Sequence, residues 1–247
     1  MIKAFILSLQ FLTRLPVNIK VDFNESTIKK MTFFFPFVGA IIAMIINIPF
    51  MINKFNKELE AFFSLALWIF ITGGLHIDGL SDTCDGFFSG RDKEKILDIM
   101  KDSRVGTFGV IAIVFDILSK FLILKNLSTK SSLFALILAL GWARLFTSFL
   151  FTYGKSARKD GLGSLFTGRD RQVYFIFSVV IFGILSFVLA GSRFFILLII
   201  GILNTLLVMR LSYKKIEGLT GDIYGASIEL NEIVLLLSWV VLEWIYI

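Results

Sequence analysis

Three aspartates, Asp78, Asp82 and Asp85, fall within the stretch "GGLHIDGLSDTCDG" that runs from Gly73 to Gly86. On a helix their spacing of four and three residues puts all three on one face. Carboxylates this close repel one another unless a positive charge neutralises them. Oxygen-only donors suit a hard cation, Mg²⁺ or Mn²⁺, and Mg²⁺ commonly shares its shell with substrate phosphates. A second acidic stretch, "TGDIYGASIELNE", places Asp222 and Glu229 seven residues apart, again on one helical face, with Glu232 somewhat off it. If the two stretches meet, Asp78, Asp82, Asp85, Asp222 and Glu229 form a metal-ligand set.

Basic residues accompany the acids. "KDSRVGTFG" offers Lys101 and Arg104, and "ARKDGLG" offers Arg158 and Lys159. Arginine suits bidentate contacts to phosphate, and the glycines at 106, 109, 161 and 163 leave backbone N–H groups for the same anion. Metal carboxylates beside phosphate-binding cations describe phosphoryl-transfer chemistry. His76, the single histidine, is a candidate base or phosphate contact, with Asp82 and Asp85 the acids nearest the chemistry. Cys84 lacks a histidine partner for thiol catalysis and reads as a small filler.

These residues must be positioned by elements that belong in a bilayer. The chain of 247 residues is 56% hydrophobic with a mean hydropathy of +0.83, which indicates an all-α, polytopic membrane protein. Apolar runs at 31–50, 60–77, 107–124, 131–152, 173–190, 193–211 and 231–247 predict about seven transmembrane helices. The N-terminal "MIKAFILSLQFLTRLPV" is too short for a span, lacks a small-residue cleavage site, and reads as a retained interfacial or re-entrant helix. No linker or repeat divides residues 1–247, so a single membrane-embedded catalytic domain is expected. Within the spans, Asp116 and Lys120 stand one turn apart and should neutralise each other, and Arg144 needs an internal partner, for which Asp116 is the candidate.

With the N-terminus in the cytoplasm, 18 of the 25 Lys and Arg fall in cytoplasmic connections and 5 in outer ones. The positive-inside rule then places both acidic stretches and both basic ones on one cytoplasmic face. The net charge of +6 is dispersed over these connections, which argues for topology and against nucleic acid. Membrane lipid is the expected surrounding, and the oligomeric state is left open.

The motifs in order resemble the cobalamin synthase family, the membrane-bound adenosylcobinamide-GDP ribazoletransferases. The resemblance covers nearly the whole chain: "FLTRLPV" at 11–17, "FFPFVGA" at 34–40, "TGGLHIDGLSDTCDGFFSGRD" at 72–92, "IMKDSRVGTFG" at 99–109, "ARKDGLG" at 157–163 and "TGDIYGASIELNE" at 220–232. It implies a Mg²⁺-dependent enzyme of the prokaryotic cytoplasmic membrane, its active site facing the cytoplasm. Such an enzyme joins adenosylcobinamide-GDP to α-ribazole, or to its 5′-phosphate, giving adenosylcobalamin or its 5′-phosphate and GMP. The rival readings are a UbiA-type prenyltransferase, a CDP-alcohol phosphotransferase and a cation transporter. The second acidic stretch fits the paired DxxxD pattern of the first poorly, and a transporter's acids should lie at mid-membrane, away from arginines.

Overall fold

The structure is a computed structural model that describes residues 1–158 and 171–245. Among the described residues it is helical, with one isolated β-bridge between Ser156 and Leu219. The helices are α1 (Ile2–Leu12), α2 (Glu25–Ile46), α3 (Ile48–Ile52), α4 (Lys57–Thr72), α5 (Leu75–Phe88), α6 (Lys93–Ile99), α7 (Thr107–Asn126), α8 (Ser132–Tyr153), α9 (Arg171–Ala190), α10 (Arg193–Ile216) and α11 (Gly221–Ile245). Six of them, α2 and α7 to α11, are long and apolar enough to cross a membrane. The pair α4 and α5 adds a seventh span if its broken halves are taken as one. The polytopic α-helical fold expected from the sequence is therefore present, and α1 is the short apolar helix anticipated at the N-terminus.

Three boundaries differ from the sequence-based expectation, each for a local reason. The first span begins earlier, at Glu25, because the Asn24 side chain accepts from the Thr27 N–H and caps the helix. It ends at Asn47, where α3 restarts with Pro49 in its first turn. The run 60–77 is not one straight helix. It breaks after Thr72 at Gly73 and Gly74, both left-handed with φ of 64° and 69°, and α5 leaves at 84° to α4. The last helix starts ten residues before the expected 231, so "GDIYGASIELNE" forms its first turns and is not a loop.

α8 is buried on all sides, as an apolar helix at the centre of a bundle should be, and α2 and α11 pack along it. Hydroxyls and an indole tie the spans together: Ser148 Oγ donates to the Thr32 carbonyl (3.0 Å), Ser178 Oγ to that of Phe33 (2.9 Å), and Trp142 Nε1 to Ser186 Oγ (2.9 Å). α7, α9 and α10 turn apolar side chains outward, including Phe115, Leu118, Ile184, Val188, Leu203 and Leu207, as expected for faces in contact with lipid.

The core also holds charge. Lys120 of α7 pairs with Asp116 (3.4 Å), with Glu229 and with Glu232 (3.1 Å), and its ammonium stands 4.6 Å from the Trp68 ring centroid. Arg144 of α8 is fully buried and pairs with Glu232. Its partner is therefore Glu232 of α11, which replaces the expected Asp116. Three carboxylates and two cations thus bind α7, α8 and α11 to one another where no water competes.

Removing one cation from such a cluster leaves buried charge uncompensated, which costs about 3–5 kcal/mol. Lys120→Met is expected to lower the detergent melting temperature and the amount of folded protein in the membrane. Adding Glu229→Gln should restore much of the loss. Equal melting of wild type and Lys120→Met would show that the cluster does not stabilise the bundle.

Candidate active site

The two acidic stretches meet where α5 crosses α11. The contact is backbone to backbone: a Cβ at Gly79 would lie 2.8 Å from the Asp222 carbonyl oxygen, and one at Gly225 would lie 3.2 Å from the His76 Cα. Only glycine fits at either position without moving a helix. Asp78 and Asp82 are thereby brought to the first turn of α11, where Asp222 sits and accepts from Thr220 Oγ1 at 3.2 Å. The expectation that Asp78, Asp82 and Asp85 share a helix holds, since all three lie on α5.

Arg158 reaches this point through a second pinning. The segment after α8 runs against the turn between α10 and α11, with Ala157 N–H donating to the Leu219 carbonyl (2.9 Å) and Leu219 N–H to that of Lys155 (2.8 Å). Arg158 Nη2 donates to the Leu97 carbonyl at 3.1 Å, while its buried Nε has no hydrogen-bond partner. Its guanidinium acts electrostatically on both Asp82 and Asp222, and Asp82 also feels Asp78, Asp222 and Asp85. Three carboxylates, Asp78, Asp82 and Asp222, therefore face one cation, Arg158.

The other sequence candidates are placed differently. Asp85 accepts from the backbone N–H groups of Gly106 (2.7 Å) and Gly109 (2.8 Å). It is a cap for α7, supplied from another helix and favoured by the positive end of the α7 dipole. The N–H groups of Gly106 and Gly109, expected to serve a substrate anion, are thus taken by Asp85. Glu229 stands two turns below Asp222, about 10 Å along α11, with its carboxylate bonded to Lys120, so it belongs to the buried ionic cluster and not to the metal-ligand set. Arg104 is 86% exposed and forks onto its neighbour Asp102 (2.9 and 2.5 Å), whose carboxyl those hydrogen bonds draw down to about 2. Lys101 is exposed, and Lys159 with the glycines at 161 and 163 lies outside the described residues. His76 is buried at 7% exposure beneath the acids, its Nδ1 without a partner, within reach of the charges of Arg144, Glu232 and Lys120.

A cleft of about 270 Å³ opens beside the crossing, between α1, α5, α8 and α11. Asp78, His76 and Asp222 form its polar side, and Phe11, Phe151 and Tyr224 its aromatic side. Sequence reasoning passed over Phe11, Phe151 and Tyr224, which only the fold brings together, although "FLTRLPV" contains the first of them.

The donor set of the crossing is all oxygen, the chemistry of a hard divalent cation. Among the described residues, no three His, Cys, Asp or Glu side chains are drawn into a ready ligand sphere as they stand. What fits such an ion is the imbalance of the site, three carboxylates against a single guanidinium around a crossing that glycine lets close to backbone contact.

No solved structure matches the chain. Curated relatives do: adenosylcobinamide-GDP ribazoletransferases from Treponema denticola (39% identical, covering 95% of this chain and 96% of the relative), Clostridium novyi (41%, covering 96% of each) and Clostridium tetani (38%, covering 98% and 97%). The family model described as "CobS: Cobalamin-5-phosphate synthase" matches residues 4–240, every residue of the crossing of α5 and α11 among them, and the chain belongs to that family.

Proposed function

We propose that this chain joins adenosylcobinamide-GDP to α-ribazole, or to its 5′-phosphate, at the crossing of α5 and α11, releasing GMP. The observation that carries the reading is the meeting of Asp78, Asp82 and Asp222 with Arg158 in a chain of this family. A hydroxyl oxygen of the acceptor attacks the phosphorus attached to cobinamide. A new P–O bond forms, the bond to the GMP phosphate oxygen breaks, and the hydroxyl proton passes to a carboxylate.

Each side chain has a part in this displacement. Arg158, with one buried Nε unbonded, holds the pyrophosphate by charge-assisted hydrogen bonds. Asp82, central among the acids, is the candidate proton acceptor and ligand, with Asp78 and Asp222 completing the oxygen donors. These three would hold Mg²⁺, which when bound neutralises the pyrophosphate and the departing phosphate. Asp85 positions the site by locking α5 to the start of α7. His76 supports the floor of the cleft.

We also place the site on the cytoplasmic side of the prokaryotic cytoplasmic membrane. The split of basic residues supports this orientation, and so does the gathering of the connections at two ends. Lys93 pairs with Glu217 and Arg158 meets Leu97 at the end bearing the site, while Lys57 meets Thr129 and Lys125 pairs with Glu58 at the other.

Three measurements test the reading. Asp82→Asn keeps size but removes charge, so GMP release should fall by at least about a hundredfold, and Mn²⁺ binding followed by electron paramagnetic resonance should weaken in parallel. Wild-type turnover with unchanged Mn²⁺ binding would sink the metal reading. Arg158→Ala should raise KM for adenosylcobinamide-GDP about ten- to a hundredfold, while the exposed Arg104→Ala should change it far less. Equal effects would mean that the position of Arg158 beside Asp82 is irrelevant. On a Cys84→Ser background, a cysteine at Lys93 or Lys215 should resist an impermeant thiol reagent added to intact cells, and its labelling would reverse the orientation.

A further inference from the structure

The motif "FLTRLPV" carries a charge that the chemistry of the crossing leaves unused. Arg14 follows α1, two residues after Leu12, which lines the cleft. It is exposed, and among the described residues its guanidinium makes no ion pair or hydrogen bond. Its backbone is nevertheless fixed. The Arg14 N–H donates to the Ile71 carbonyl near the end of α4 (2.6 Å). Gln10 Nε2 ties the rest of the loop back to α1 by donating to the carbonyls of Val17 (2.8 Å) and Ile19 (2.7 Å).

The bend between α4 and α5 is shaped to receive this side chain. A Cβ at Gly73 would lie 2.2 Å from Arg14 Cγ and 3.2 Å from its Cδ, so the aliphatic stem lies across Gly73 in the room that a missing side chain leaves. An arginine that serves topology alone needs only the right side of the membrane, not a fitted seat. Gly74 stands four residues before Asp78, about 6 Å along α5. Arg14 is therefore held at the rim of the cleft, on the α1 side of the acids. Arg158 comes from the other side, past Leu97 of α6 and the turn between α10 and α11. Asp222 feels Arg158 and Asp78, and Arg14 is not among the charges that act on it.

The chemistry of the two substrates says what such a cation can hold. Arginine is suited to forked, charge-assisted bonds with phosphate. Both phosphates of adenosylcobinamide-GDP take part in the displacement, and they belong among the acids with Arg158. The 5′-phosphate of the acceptor is the remaining phosphate, and a sugar ring separates it from the attacking hydroxyl. We infer that Arg14 holds this 5′-phosphate, so that the acceptor bridges from the rim of the cleft to the acids. The inference rests on the reading that transfer occurs at the crossing of α5 and α11. It makes Arg14 the residue by which the enzyme tells α-ribazole 5′-phosphate from α-ribazole.

The test compares the two acceptors, of which the unphosphorylated one is the internal control for folding and topology. In purified full-length protein, Arg14→Gln should raise KM for α-ribazole 5′-phosphate about ten- to a hundredfold. KM for α-ribazole and KM for adenosylcobinamide-GDP should stay as in the wild type, and Arg14→Lys should recover part of the loss. Equilibrium dialysis of each acceptor, without metal or the second substrate, should show the same selective weakening. An equal change for both acceptors, a change in KM for adenosylcobinamide-GDP instead, or no change at all would overturn the assignment. Failure of the transfer reading is distinguishable, because it would appear as absent GMP release in the wild type with either acceptor. The dialysis then still decides on Arg14: a loss confined to the phosphorylated acceptor supports its role, and anything else overturns it.

Discussion

The site depends on how closely two helices can approach. Gly79 of α5 and Gly225 of α11 bring backbone against backbone, so that a single methyl group at Gly79 would stand 2.8 Å from the Asp222 carbonyl oxygen. An alanine there would force the helices apart and separate Asp222 from Asp78 and Asp82. The 84° bend at Gly73 and Gly74 serves the same approach, since it turns α5 out of the line of α4 and across α11. The pairing of residues 155–158 with Leu219 then carries Arg158 to the crossing.

Two layers of charge lie one above the other, and they differ in balance. In the lower layer, Lys120 and Arg144 answer Asp116, Glu229 and Glu232, and each cation has a carboxylate partner inside the fold. That layer, with three carboxylates against two cations, is closer to balance and acts as a brace. In the upper layer, Asp78, Asp82 and Asp222 share one arginine. A carboxylate group so poorly neutralised is a cost to the folded chain, and it persists where something else supplies the missing charge. His76 lies between the layers and separates the brace from the chemistry.

Much of this was legible in the sequence, because the relevant patterns are local. Apolar runs identified the spans, and the spacing of Asp78, Asp82 and Asp85 put them on one helix. Asp222 was recognisable as a distant partner by its glycine-rich setting. What escaped were pairings between residues remote in the chain. Arg144 and Glu232 are 88 residues apart, and Lys120 and Glu229 are 109. No periodicity reveals that Glu229 is bound by a lysine below the site, or that Asp85 caps a helix that begins 22 residues later. The early start of α11 was missed because its first turns are polar, and such residues read as a loop until the burial given by neighbouring helices is known. The cleft was missed for the same reason, its aromatic residues lying on three different helices.

The distribution of the brace along the chain also has a meaning for how the protein is made. Asp116 and Lys120 stand on one helix and enter the bilayer as a self-neutralised pair. Arg144 follows on α8 with no carboxylate of its own, and its partner Glu232, like Glu229, arrives only later in the chain, on α11. Until α11 is inserted, Arg144 lacks this carboxylate partner, and an unpaired charge in the bilayer is costly. Asp222 is carried in on that same helix. The step that seals the membrane fold is therefore also the step that brings Asp222 beside Asp78 and Asp82.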